Sequence, residues 1–421
     1  MGKASVFFGV LKDSFSILRI KNIRIYMVGQ SISLVGDWMQ QTAQAWLVWE
    51  LTHKATALGI VALLSQVPFF IFGPWVGAFA DEYNRKYILL ITQILAMLFA
   101  FCLALLIQTH TLLLWHVYLL AFLLGTVTAF NTTAEQAFIG DIAGPGRIQK
   151  AIALNNSINQ LSRFIGPALA GWLIGGVGIV VAFWLNGLSV AVSIVCIILI
   201  KAKDEPIKPE LSGLKSFITG LHFIRRQKLL RLIILFGAIQ AFFGGSIVQL
   251  LPAISSKVLK GNADTLGSLI GAAGAGAFIG TVIVLPFVSR VKKPCIAIGT
   301  AVIWAGCWYC LFSFSHSLQL SMLCQFMASL GAANVLTLSI GLAQELTPPN
   351  MRASIISAFM MIVFGLQPLA SFLVGKSADL FGLHYTILTN GVVMIVLTFS
   401  LVMIPMLNRL KVTVSAPMAY R

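Results

Sequence analysis

YILLITQILAMLFAFCLALLIQT, the stretch Tyr87–Thr109, continues for 23 residues without a charged side chain. As a helix it spans about 34 Å at 1.5 Å per residue, enough to cross the roughly 30 Å hydrocarbon core of a bilayer. Eleven further apolar runs flank it, at Ile23–Glu50, Thr56–Ala80, Leu112–Phe138, Gln149–Ile174, Ile179–Ile200, Leu229–Leu259, Asp264–Val288, Cys295–Phe314, Leu318–Ala343, Arg352–Ala378 and His384–Leu407. Only short polar connections separate most of them. With 58% hydrophobic residues, 10% charged residues and a mean hydropathy of +0.92, the chain lies far from soluble proteins, in which about a quarter of residues are charged. The pattern predicts an all-α membrane protein of twelve transmembrane helices.

A formal net charge of +16 would suit a nucleic-acid partner, but the placement of the cations argues otherwise. Of the 29 Lys and Arg, 24 fall in the N-terminal segment, in the connections that follow even-numbered runs, and in the C-terminal tail. Four, namely Lys54, Lys257, Lys260 and Lys376, fall in the opposite connections, and Arg163 lies within a run. Cytoplasmic loops collect Lys and Arg, so both termini are expected in the cytoplasm, with the basic surplus facing anionic lipid heads and no nucleic acid bound. The first run is too long for a cleavable signal and lacks a small-residue cleavage site, so the first helix is expected to be retained. Cys307 and Cys310 have a redox-like spacing, but they sit mid-helix beside Trp304 and Trp308 with no second pair, which reads as packing. The six His are scattered, and no Gly-rich phosphate loop is present. Neither a metal, a cofactor nor an enzymatic activity is therefore expected.

One long polar connection, Lys201–Lys228, divides the runs six and six. Its second part alternates apolar and basic residues at helical spacing, which predicts a short amphipathic helix on the membrane surface. The expected organisation is a six-helix bundle over residues 1–200, a linker over 201–228 and a second bundle over 229–421. A weak repeat agrees: Arg147 precedes Gly171 much as Arg352 precedes Gly375, each after a glutamate (Glu135, Glu345), with a proline (Pro167, Pro368) in each following helix. That pattern points to a parallel duplication, related by a pseudo-two-fold axis along the membrane normal.

Several strings carry a resemblance. GAFADEYNRK at Gly77–Lys86 resembles the loop signature of the major facilitator superfamily, and GDW at Gly36–Trp38, AEQ at Ala134–Gln136, NNS at Asn155–Ser157 and RFIGPALAG at Arg163–Gly171 are similar to its enterobactin-exporter and macrolide-efflux branch. The resemblance implies a secondary transporter of the bacterial inner membrane. Its expected substrate is a siderophore or hydrophobic drug, exported against proton entry by alternating access, with H+ as the coupling ion. A lysophospholipid flippase and a siderophore importer are the alternatives. Membrane lipids are the expected surroundings and a monomer the expected state.

Charge at mid-bilayer costs about 2.5–3.5 kcal/mol even on a lenient scale, so intramembrane ionisable residues stand out. Asp37 and Arg163 each lie 14 residues into their runs, about 21 Å deep, which predicts an ion pair or water-bridged contact. Asp37 would then either carry the coupling proton or, with Arg163, clamp two helices. Asp81 and Arg85 are expected to latch the second helix to the start of the eleventh near Arg352. Glu135 with Arg147, and Glu345 with Arg352, are expected to act as matched cytoplasmic gates. If the family arrangement holds, the first, fourth, seventh and tenth helices line the cavity. Its polar positions are then Gln30, Gln40, Gln41, Gln44, Asn131, Gln240, Gln249 and Asn334, with Asp37, Gln40, Gln41 and Gln44 on one face. The glycines of the eighth run (Gly267, Gly271, Gly274) read as a close-packing stripe against the other bundle.

The charge asymmetry makes a direct prediction. A cysteine at Lys260 should react with a membrane-impermeant maleimide in intact cells, whereas one at Arg409 should react only after permeabilisation; the reverse pattern would invert the topology.

Overall fold

The computed structural model describes residues 16–144, 146–200, 222–284, 293–347 and 352–403; the side chains of Asp81 and Arg352 lie outside that description. Within it the chain is helical throughout. The long helices are α1 (Lys21–Thr52), α2 (Ala55–Glu82), α3 (Arg85–Gln108), α4 (Leu114–Ala143), α5 (Ile148–Gly176), α6 (Ile179–Leu199), α7 (Lys228–Val258), α8 (Ala263–Val284), α9 (Pro294–Ser313), α10 (Leu318–Glu345), α11 (Arg352–Phe381) and α12 (Leu383–Val402). Among the described residues, nine of them are long and apolar enough to cross a membrane. Helix α2 counts only over Ala55–Phe69, a shorter apolar stretch, among the described residues, and α1 and α5 fall short of that measure although their lengths suffice. Their buried or half-buried Gln30, Gln40, Gln44, Asn155 and Arg163 lower the hydropathy. Of the linker, residues 222–226 are helical, while the rest of the expected amphipathic helix, like most of the connection after α8, lies outside the described residues.

Local chemistry sets the ends. Asn84 caps α3 by accepting from the amides of Lys86 (2.9 Å) and Tyr87 (3.3 Å), Asn262 caps α8 at Asp264 and Ser317 caps α10 at Leu320, each satisfying an amide that the helix start leaves free. The turns into α6 and α12 each pass through a glycine at positive φ, Gly178 (103°) and Gly382 (89°), a conformation open to glycine at no steric cost. Eight residues further on stand the buried Asn186 and Asn390. These two pairs recur at one common offset, which extends the internal repeat. Helix α7 is irregular. It passes through a π turn at Gln240–Gly244, a 3₁₀ stretch at Gly245–Leu250 and a second π turn at Ile254–Val258. The Gly244–Gly245 pair and Pro252 explain the break in regular bonding.

Odd-numbered helices start at one end of the molecule, here the near end, and even-numbered ones start at the far end. The first six helices meet the last six mainly through α5 against α8 and α2 against α11. In both pairs glycine permits the approach. A Cβ on Gly267 of α8 would lie 2.5 Å from the Pro167 carbonyl oxygen and 3.0 Å from Gly171 Cα, and one on Gly274 would lie 2.8 Å from the Arg163 carbonyl oxygen. A Cβ on Gly375 of α11 would lie 2.5 Å from the Ala55 carbonyl oxygen. The expected stripe on α8 therefore does face the other half. All these contacts lie between mid-helix and the far end.

Gly267→Val should lower the thermal midpoint of the purified protein, at a cost of about 1–3 kcal/mol for overpacking, read by tryptophan fluorescence on heating. Gly341→Ala, at a position with open space around it, should leave the midpoint unchanged or slightly raised.

Candidate functional site

Glu135 is the centre of a polar cluster. It sits two turns before the end of α4, where its carboxylate accepts from Gln30 Nε2 of α1 (3.0 Å) and Asn155 Nδ2 of α5 (2.8 Å), and the Tyr26 hydroxyl also bonds to it. Three helices of the first half thus converge on one half-buried carboxylate. Among the described residues no cation pairs with it. The expected Glu135–Arg147 pair is not formed: Glu135 lies inside the helix rather than at its end, and Arg147 is exposed beyond the helix end. Glu345 is the last residue of α10, as expected, and is exposed; the side chain of its expected partner Arg352 lies outside the described residues.

Asp37 and Arg163 do lie at similar depth, 16 and 15 residues into α1 and α5. They do not form a direct ion pair in this structure. Asp37 is hydrogen-bonded by Asn186 of α6, whose amide also donates to Gln40 Oε1 at 2.7 Å. The Arg163 guanidinium instead lies over the Trp38 ring, 5.2 Å from its centroid. The physical reason is azimuth. Neighbouring residues on a helix project about 100° apart. Trp38 faces α5, where a Cβ on Gly166 would lie 2.7 Å from Trp38 Cβ, and Gly36 packs against Ser189 and Asn186 of α6. Asp37 is turned towards α6, away from Arg163.

The other expected cavity positions divide. Gln40 and Gln44 are buried while Asp37 and Gln41 are exposed, and Gln30 is committed to Glu135. Asn131 is half-buried and accepts from Thr92 (3.0 Å) and Gln93 (3.5 Å) of α3, which ties α4 to α3. In the second half Gln249 is half-buried. Gln240 and Asn334 are buried, and each has a side-chain oxygen without a hydrogen-bond partner.

At the near end Arg85 pairs with Asp141 of α4 at 2.7 Å, both partly buried, which joins the start of α3 to the end of α4. The expected partner Asp81 lies outside the described side chains. At the far end stands a contact that sequence reading missed. Asp379, near the end of α11, accepts from the amides of Ala55 (2.9 Å) and Thr56 (2.7 Å) and from Thr56 Oγ1 (2.6 Å). It therefore caps α2 from the other half of the chain, where free amides and the helix dipole both favour a carboxylate. Lys257 of α7 lies over Trp49 of α1, 5.1 Å from the ring centroid, beside this contact. A signal for Asp379 was present. Gly77-x-x-x-Asp81 ends α2, and Gly375-x-x-x-Asp379 ends its antiparallel partner α11.

The sequence matches the family described as transmembrane secretion effector over residues 12–419. It is 24% identical over 371 residues to the staphyloferrin A transporter of Staphylococcus aureus, covering 86% of this chain and 91% of that one. It is 22% identical over 388 residues to macrolide efflux protein A of Streptococcus pyogenes, covering 91% and 95%. The enterobactin exporter of Shigella boydii is 24% identical over 259 residues, 61% of each chain. In fold it is similar to a bacterial homologue of the human lysosomal transporter Spinster, solved inward-facing and occupied, with a TM-score of 0.72 at 15% identity over 91% of this chain and 96% of that one.

Asp379→Ala should speed hydrogen exchange at the Ala55 and Thr56 amides by roughly tenfold or more, as loss of a charge-assisted bond implies. Exchange mass spectrometry of the α1–α2 turn reads this directly.

Proposed function

Because the chain belongs to the transmembrane secretion effector family of the major facilitator superfamily, we propose that it is a proton-coupled secondary exporter of a siderophore or hydrophobic drug-like molecule, working by alternating access. In this reading twelve transmembrane helices form two six-helix bundles, residues 1–200 and 229–421, joined by the 201–228 linker, as a monomer with both termini cytoplasmic. One observation carries it. The two halves approach through glycine-lined pairs from mid-helix to the far end, while Asp37, Glu135 and Arg163 stand within the helices of the first half. Closure at one end beside intramembrane charge is what a carrier caught in one of its two states requires. The names of the relatives, two of them exporters of siderophore or drug, support the direction and the substrate class.

Asp37 is the coupling carboxylate in this reading. It is exposed, and it has a polar neighbour rather than a fixed cation. A carboxylate free of a permanent counter-ion can gain and lose a proton without breaking a strong pair. Asp81 and Asp379 act as opposed latches. Asp379 closes the far end by capping α2, and Asp81, with the same glycine spacing, caps α11 at the near end in the alternate state. Arg85 and Arg352 flank that second latch.

Cells expressing the chain should accumulate less erythromycin or ethidium than cells without it, or release more iron chelator, and dissipating the proton gradient should abolish the difference. Asp37→Asn should abolish it as well. Gradient-dependent efflux that survives in Asp37→Asn would remove this residue from the coupling step.

A further inference from the structure

Arg163 is a cation within a membrane-spanning helix whose charge is not balanced by any carboxylate within ion-pair distance among the described residues. Such a charge is costly, and membrane proteins retain one where it meets a counter-charge or lines a path. Its surroundings come from both halves of the chain. Trp38 of α1 lies under the guanidinium, and Tyr309 of α9 is near enough to interact with it electrostatically. Tyr309 in turn lies against Gly244 of α7: a Cβ there would be 3.2 Å from Tyr309 Cε2 and would also meet the Gln240 amide. Gln240 opens the π turn of α7, is 8% exposed, and its Oε1 has no hydrogen-bond partner. Single π turns inside helices are frequent at functional sites, and an orphaned buried acceptor calls for a donor.

We propose that Arg163, Trp38, Tyr309 and Gln240 form a subsite for an organic carboxylate carried by the transported molecule. The guanidinium is a planar fork of donors that matches the two oxygens of a carboxylate. Trp38 holds that fork by cation–π contact, so less freedom is lost when the anion binds. Tyr309 supplies a hydroxyl from the other half, and Gln240 Oε1 accepts from a hydroxyl or amide on the same ligand. Because Arg163 and Trp38 belong to the first half and Tyr309 and Gln240 to the second, an anion seated there bridges the two. Its binding is thereby linked to their relative position. This inference rests on the transporter reading but narrows the substrate to an acid, and it disfavours neutral and cationic drugs at this position.

The test is calorimetric binding to the purified full chain in detergent, using salicylate and 4-phenylbutyrate against their neutral amides, with erythromycin as a cationic contrast. The acids should bind at least tenfold more tightly than their amides, and Arg163→Gln should remove that preference. Arg163→Lys, which keeps charge but loses the fork, should retain part of it, and it serves as the readout if Arg163→Gln fails to fold. Equal binding of acids and amides to the unaltered chain, or an undiminished preference in a folded Arg163→Gln or Arg163→Lys protein, would overturn the subsite. Failure of the exporter reading is distinct, since it would show as absent efflux from cells while the acid preference of the purified protein persisted.

Discussion

Hydrocarbon offers neither donor nor acceptor, so every polar group on a membrane-crossing helix must find its partner inside the protein or line a polar path. The most polar helices here obey that constraint visibly. Tyr26 and Gln30 of α1 and Asn155 of α5 converge on the Glu135 carboxylate of α4 in a single cluster. Asp37 and Gln40 find Asn186 of α6. Three of the polar positions that the sequence offers to a substrate, Gln30, Gln40 and Asn131, are engaged in contacts between helices of the first half. Among the described residues the Arg163 charge has no carboxylate partner, and buried polar atoms without a partner, Gln240 Oε1, Gln325 Oε1 and Asn334 Oδ1 among them, lie mostly in the second half.

The second constraint is distance between backbones. Helices in lipid gain little from burying apolar side chains against each other, and close van der Waals packing over small residues takes that place. The stripe Gly267, Gly271 and Gly274 on α8 lets α5 approach over its mid and far portions, while Gly59 and Gly375 do so for α2 and α11. At these points the backbones meet with little side-chain volume between them. The polar contact at their far edge, Asp379 on the start of α2, adds direction to packing that would otherwise permit sliding.

Much was legible in the chain before any coordinates. The apolar runs follow from length and hydropathy, and the glycine stripe from its spacing. Arg163 and Asp37 stand out because charge is rare in such runs. The polar face of α1 was also readable, since Asp37, Gln40, Gln41 and Gln44 recur at helical steps. The pairing of charges was not. Equal depth fixes one cylindrical coordinate only, and Asp37 turns towards α6 while Arg163 meets the next residue, Trp38. Glu135 lies two turns inside α4 rather than at its end, because hydropathy places helix ends less sharply than helix centres.

Sequence alone thus determined which segments are helices and which residues are costly in a membrane, because both follow from local composition and a fixed rise per residue. Tertiary structure decided which polar side chains satisfy one another and which helices of the two halves approach through glycine. Those properties depend on helix rotation and on contacts between residues far apart in sequence, such as Asp379 with Thr56. No local pattern encodes them, since the interacting groups share neither a helix nor a half.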